Sequence, residues 1–85
     1  MIYFQKITEY QSEIRLKFDG RMIGTLEKLA NVHYLIEIDY FSFVLPVKQK
    51  AIVKGVIENV YKAGKAREFR ARKKLRPYKD FKILE

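Results

Sequence analysis

The side chains of this chain with the clearest chemistry are cations gathered at its C-terminal end. Residues 62–85 carry ten Lys and Arg against three Asp and Glu, a net charge of +7, whereas residues 1–61 carry a net charge of +1. An Arg guanidinium can hold a phosphate with two hydrogen bonds, and a Lys ammonium attracts a phosphate as a point charge. Cations gathered in this way favour contact with a polyanion, of which nucleic acid is the commonest.

The candidate contact residues are the cations between residues 65 and 79. They are Lys65, Arg67, Arg70, Arg72, Lys73, Lys74, Arg76 and Lys79. Phe69, Tyr78 and Phe81 lie among these cations and could stack on unpaired bases. The sequence contains no helix-turn-helix pair, no Cys/His finger and no aromatic RNA-binding signature. It therefore predicts a small accessory or regulatory protein that contacts the phosphates of DNA or RNA with little sequence specificity.

Other partners stay open for the same basic segment. An acidic protein could bind it, and the chain would then be a protein–protein interaction module or an inhibitor. Residues 65–76 could form a helix or an extended arm. In another interpretation, the apolar residues of the segment only dock it onto the domain, and its end adds an edge strand. These residues are Phe69, Leu75, Phe81, Ile83 and Leu84. A homodimer is a further alternative, because an open sheet edge invites pairing. No membrane partner is expected, since the segment lacks a strong helical moment.

A second group of chemically capable side chains is His33, Glu37 and Asp39, on one side of a predicted strand. A His beside carboxylates can bind a metal ion or exchange protons. No recognised catalytic motif accompanies the three residues, and the sequence has no Gly-rich phosphate loop. We interpret them as a solvated strand face, and we expect no enzymatic activity, no metal site and no cofactor.

The elements that position these residues follow from the spacing of the apolar side chains. Residues 13–18 and 32–39 alternate polar and apolar side chains, as strands with one buried face do. Residues 2–10, 22–28 and 40–45 are also β-prone. Apolar residues between Ile52 and Tyr61 recur at helical spacing, and Gly64 is a natural stop for that helix. The sequence predicts an α+β fold: a small antiparallel sheet of three to four strands followed by one amphipathic helix and a basic C-terminal tail.

The first hairpin turn is constrained by the faces of its strands. Ile14, Leu16 and Phe18 on one strand and Met22 on the next are apolar and even-numbered, so we expect all four to be buried. Directly opposed residues share a face, and this parity requires a loop with an odd number of residues. We predict a three-residue connection with Gly20 in the left-handed conformation.

Length and composition limit the organisation further. A chain of 85 residues forms one domain with a thin core, which we assign to residues 1–64, with residues 65–85 as a basic extension. The chain contains no Cys, which excludes disulfides and thiolate metal sites and is compatible with the reducing cytoplasm. No secretory signal is visible, and no apolar stretch approaches the roughly 20 residues of a membrane span. We therefore expect a cytoplasmic protein.

Overall fold

A computed structural model describes residues 1–30 and 33–84 of the chain. The strands in these residues are β1 (Ile2–Lys6), β2 (Gln11–Leu16), β3 (Met22–Lys28), β4 (Tyr34–Ile38), β5 (Phe41–Leu45) and β6 (Lys82–Leu84). The helices are α1 (Lys50–Gly64) and α2 (Glu68–Leu75). All six strands form one antiparallel sheet in the order β1-β2-β3-β4-β5-β6, so neighbours in the sheet are also neighbours among the strands of the chain.

The fold is α+β, but the predicted number of elements is wrong. The described part of the chain has six strands instead of three or four, and two helices instead of one. The segment predicted as a basic tail forms α2 and β6, and β6 pairs with β5 at the sheet edge with Ile83 opposite Phe43. The reason lies in Ala71 and Leu75, both fully buried. Spaced four residues apart, they give α2 one apolar side that packs on the rest of the molecule.

The inward face of the sheet carries the apolar alternation that the sequence predicts. In β4, Tyr34, Ile36 and Ile38 are buried, while the residues between them are more accessible. A two-residue turn then pairs Ile38 with Phe41. Because opposed residues share a face, the buried positions change from even numbers in β4 to odd numbers in β5.

The hairpin between β2 and β3 differs from the prediction. Gly20 has a positive φ of 74°, as expected, but the Leu16 amide donates to the Arg21 carbonyl, so the connection has four residues and not three. A bulge in the β2–β3 register beside Ile14 then directs the Ile23 side chain into the core. The expected burial of Phe18 and Met22 is wrong: Phe18 is 86% exposed in the turn, and Met22, opposite Arg15, is 44% exposed. The bulge, and not the loop length, restores the parity of the buried face.

The predicted amphipathic helix is α1, and it covers the inward face of the sheet. Val53, Ile57 and Val60 are fully buried in the same core as the strand residues. Ile52, placed on the apolar side from the sequence, is largely exposed. Helix α2 packs against α1, so the two helices together form one continuous body with the sheet.

Polar contacts hold the C-terminal half of α1 against the strands. The Tyr40 hydroxyl donates to the Val60 carbonyl, and Nη2 of Arg21 donates to the Tyr61 hydroxyl at 3.1 Å. Burial is the main cause that raises the pKa of Tyr40 above the ordinary tyrosine value, and the nearby Tyr61 adds to it. The Tyr40 hydroxyl therefore keeps its proton, and its hydrogen bond to the helix, at neutral pH.

A second polar contact joins α1 to β1 at the sheet edge. Oε2 of Glu58 accepts a hydrogen bond from the Ile2 amide and lies 3.1 Å from the Met1 amino group. Burial raises the pKa of Glu58, but the Ile2 amide, the Met1 amino group and the charge of Lys54 outweigh it. The net result is a pKa below the ordinary glutamate value, so the contact is made by the ionised carboxylate.

Candidate nucleic-acid interface

Positive charge is concentrated in residues 48–79, which comprise both helices and their connections and are called the helical segment below. The helical segment carries twelve Lys and Arg and two Glu, a net charge of +10, and the rest of the chain carries a net charge of −2. A boundary at residue 48 separates the charges more sharply than the boundary at residue 62 considered from the sequence. The reason is that it adds the lysines of α1 to the cations of the C-terminal part. The two helices and their connections therefore carry the excess of positive charge, and the rest of the chain is weakly acidic.

All eight predicted contact residues are exposed. Lys65 and Arg67 lie in the connection between the helices, Arg70, Arg72, Lys73 and Lys74 lie on α2, and Arg76 and Lys79 follow it. Their exposure follows from the packing of α2. Because Ala71 and Leu75 occupy the side of the helix that contacts the core, the charged positions between them are left on the solvent side.

Internal ion pairs neutralise little of this charge. Nη2 of Arg72 lies 3.2 Å from Oε1 of Glu68, one turn earlier on α2. Over residues 1–30 and 33–84, no other of the eight cations forms an ion pair. An exposed pair with this spacing contributes only about 0.3–0.5 kcal/mol. A phosphate could therefore displace the Glu68 carboxylate from Arg72 at small cost.

The aromatic residues among the cations are not equivalent. Phe69 is 52% exposed, and the Arg67 guanidinium lies 5.9 Å from the centroid of its ring. Tyr78 and Phe81 pack partly against the core. Of the three rings considered for base stacking, that of Phe69 is the most accessible, and it lies beside a cation that could hold the neighbouring phosphate.

The cations of α1 are not among the residues predicted from the sequence. Lys48 and Lys62 are exposed, and Lys54 is half-buried on the polar side of the helix. Lys50 is exposed and its Nζ lies 5.4 Å from the centroid of the Phe4 ring. The signal was present in the sequence, since these lysines fall opposite the apolar stripe of α1. Helix α2 contacts α1, so the two sets of cations lie on neighbouring helices.

The outward face of the sheet carries charges of both signs. The strand register places Glu13, Thr25, Glu37 and Ser42 in one row across four strands. Glu27 lies in the neighbouring row, opposite Gln11 and Leu35. Arg15, which pairs with Glu13, and Lys82, which lies opposite Val44, are on the same face. Because its acids and bases nearly balance, the sheet face by itself is a poor phosphate-binding surface.

The residues considered for acid–base or metal chemistry lie apart from the basic surface. Asp39 lies 3.5 Å from Nη1 of Arg21, Glu37 is exposed on the sheet, and His33 is half-buried at the start of β4. In the part of the chain that the structure describes, no group of three or more His, Cys, Asp and Glu is arranged to hold a metal ion. Neither of the helices found there combines the length and the apolar composition needed to cross a membrane.

Comparison of the chain with protein-family models, with curated proteins and with solved structures gave no significant match. A functional assignment must therefore come from the geometry and charge of the molecule itself.

Proposed function

We propose that the protein binds nucleic acid through the helical segment, contacts mainly phosphates, and catalyses no reaction. The observation that carries this proposal is the exposure of all eight cations between residues 65 and 79 with a single ion pair among them in the described structure. In the folded molecule these charges are exposed to solvent, and internal ion pairs neutralise few of them. A surface of this kind attracts a polyanion over long distances and binds it with the release of condensed counterions.

The size of the molecule limits the footprint. Its longest dimension is 30 Å, which corresponds to roughly nine base pairs at about 3.4 Å per step. Four of the cations belong to the eight-residue helix α2, which is about 12 Å long. This length spans only a few phosphates of one strand, so we expect modest affinity and weak sequence preference.

The test is fluorescence anisotropy with labelled single- and double-stranded DNA and RNA at two salt concentrations. One variant replaces Arg70, Lys73 and Lys74 with Gln, and its charge-matched control replaces Lys6, Lys17 and Lys82, which are exposed outside the helical segment. We expect the first variant to weaken duplex binding at least tenfold at low salt. It should also reduce the log–log salt slope by about 2–3, close to 0.9 for each lost phosphate contact.

The control variant separates a specific surface from net charge alone. We expect it to weaken binding only a few-fold, because its three cations lie outside the helical segment. Equal weakening by the two variants would show that the helical segment is not the binding surface. Absence of binding to all four nucleic acids up to about 100 µM protein at low salt, the weak end of non-specific affinities, would reject the proposal itself.

A further inference from the structure

A small polar cavity of about 170 Å³ lies between the inward face of the sheet and the start of α1. Its polar side chains come from four elements and one turn. They are Ser12 on β2, Lys28 on β3, Tyr34 on β4, Lys50 on α1 and Glu9 before β2. Residues this far apart in the chain come together only in the folded sheet, so no sequence motif identifies the site.

Two hydroxyls of largely buried residues open into this cavity without a partner in the protein. Ser12 and Tyr34 are each only 6% exposed, and no hydrogen bond joins either hydroxyl to another residue within the described ranges. Both residues line the cavity, and their hydroxyl oxygens remain accessible from it. Their hydrogen-bonding capacity is therefore available to water or to a ligand in the cavity.

The charges around the cavity favour an anion in it. Lys28 lies directly opposite Tyr34 in the sheet register, so both side chains lie on the inward face. Neither Lys28 nor Lys50 forms an ion pair with Glu9 or with any other residue that the structure describes. The lining therefore carries two Lys and one Glu, a net charge of +1, and all three residues are exposed, so solvent and salt screen the attraction and the repulsion alike.

The start of α1 adds to this positive character. Lys50 is the first residue of the helix, Gln49 before it makes no side-chain cap, and the first turn contains no acidic residue. The first turn of a helix carries amide groups without helical partners and a partial positive charge. No side chain of the first turn compensates that charge.

We propose that this cavity binds one tetrahedral oxyanion of the phosphate type. The Ser12 and Tyr34 hydroxyls donate hydrogen bonds to it, and Lys28 and Lys50 supply the opposing charge. The volume of about 170 Å³ is well above the roughly 10–15 Å³ that one water needs, so the cavity has room for an anion larger than water. The site goes beyond the proposed function, because inorganic phosphate alone can occupy it. The terminal phosphate of a nucleic-acid strand is the second source of the same group.

The test is a titration of the ¹⁵N-labelled protein with sodium phosphate, followed by NMR and compared with sodium chloride at equal ionic strength. We expect saturable shifts of the amides of Ser12, Lys28, Tyr34 and Lys50 that chloride does not reproduce. Tyr34→Phe removes only the hydroxyl and should weaken phosphate binding about five- to tenfold, the value of one hydrogen bond. Ser12→Ala provides a second variant if Tyr34→Phe disturbs the fold.

Lys28→Gln and Lys17→Gln form the charge-matched pair, since Lys17 is exposed in the β2–β3 turn. Lys28→Gln should weaken phosphate binding several-fold and Lys17→Gln should not. Shifts that depend only on ionic strength, or equal effects of the two variants, would overturn the proposal. A 5′-phosphorylated oligonucleotide that shifts the cavity amides more than its 5′-hydroxyl counterpart would identify a strand end as the source. Equal shifts, with inorganic phosphate still saturating the site, would identify the free anion.

Discussion

The ring of Tyr40 fills the space in which a side chain at residue 64 would lie. A Cβ added to Gly64 would overlap the ring and the hydroxyl of Tyr40, and the same hydroxyl bonds to the Val60 carbonyl one turn earlier. Gly64 is the last residue of α1, but its φ is not positive. It is therefore required for the close approach of the helix to the β4–β5 turn, and not for a left-handed helix end.

Replacing Gly64 with Ala should destabilise the protein. The added methyl group must displace the ring of Tyr40, and overpacking of this kind costs about 1–3 kcal/mol, more than the roughly 0.5–1 kcal/mol that Ala gains over Gly in a helix. We expect a net loss in the free energy of unfolding, measured by urea denaturation.

Gly55 in the same helix is the matched control. A Cβ at Gly55 would have no heavy atom within 4 Å, so Gly55→Ala should raise the free energy of unfolding by about 0.5–1 kcal/mol. Opposite signs for the two Gly→Ala changes are the expected result. A stabilising Gly64→Ala would contradict the packing described for Tyr40.

Leu75→Ala should show that α2 is part of the folded unit. Leu75 is fully buried, and truncation of a buried Leu costs about 2–5 kcal/mol, a large fraction of the stability of a small domain. Phe69 on the same helix is mostly exposed, so Phe69→Ala should change stability by less than about 0.5 kcal/mol. Thermal unfolding measured by circular dichroism compares the two variants, and similar melting temperatures would mean that α2 does not support the core.

Glu58→Gln should alter the dependence of stability on pH. The folded state lowers the pKa of Glu58, so the folded chain binds fewer protons than the unfolded chain in the acid range. Its stabilising contribution is present above the ordinary glutamate pKa of about 4.3 and is lost as the pH falls through the lowered folded value. Urea denaturation across this range should show the wild type losing its advantage over Glu58→Gln on acidification. A constant difference between them would exclude the linkage.

Glu68→Gln should increase nucleic-acid affinity if the proposed function is correct. The change frees Arg72 from its ion pair and removes one negative charge from α2. We expect binding about two- to threefold tighter at low salt, in line with the small energy of an exposed pair. Glu37→Gln makes the same change of charge on the outward sheet face and should have a smaller effect. The anisotropy assay described above compares them, and an equal gain for both variants would argue against a role of α2.

The elements that the sequence predicts well are those with one dominant apolar period. Tyr34, Ile36 and Ile38 alternate cleanly in β4, and Val53 to Tyr61 follow helical spacing in α1, so burial decides both structures. The first hairpin has the same alternation, but a bulge is a local choice between two registers that the pattern alone does not resolve. The four-residue turn leaves Phe18 exposed, and the bulge buries Ile23.

Helix α2 and the candidate sites were harder to predict for a different reason. Ala71 and Leu75 are two apolar side chains within a run of cations, and their burial depends on a surface that α1 provides. The eight cations are exposed, but their contact with nucleic acid stays a prediction, and the lysines of α1 were not among the predicted residues. The cavity that we propose binds phosphate depends on the strand register that brings Ser12, Lys28 and Tyr34 to one face. No local sequence pattern encodes that register.

The order of the strands has a consequence for how the chain folds. Because β1 to β5 pair in the order in which they occur, this part of the sheet can grow one hairpin at a time, through contacts between residues close in sequence. Only the pairing of β5 with β6 must close a long loop, which contains both helices. Local contacts of this kind are typical of rapid folding, and loop closure carries an entropic cost. We therefore expect the addition of β6 to be the last and slowest step in the assembly of the sheet.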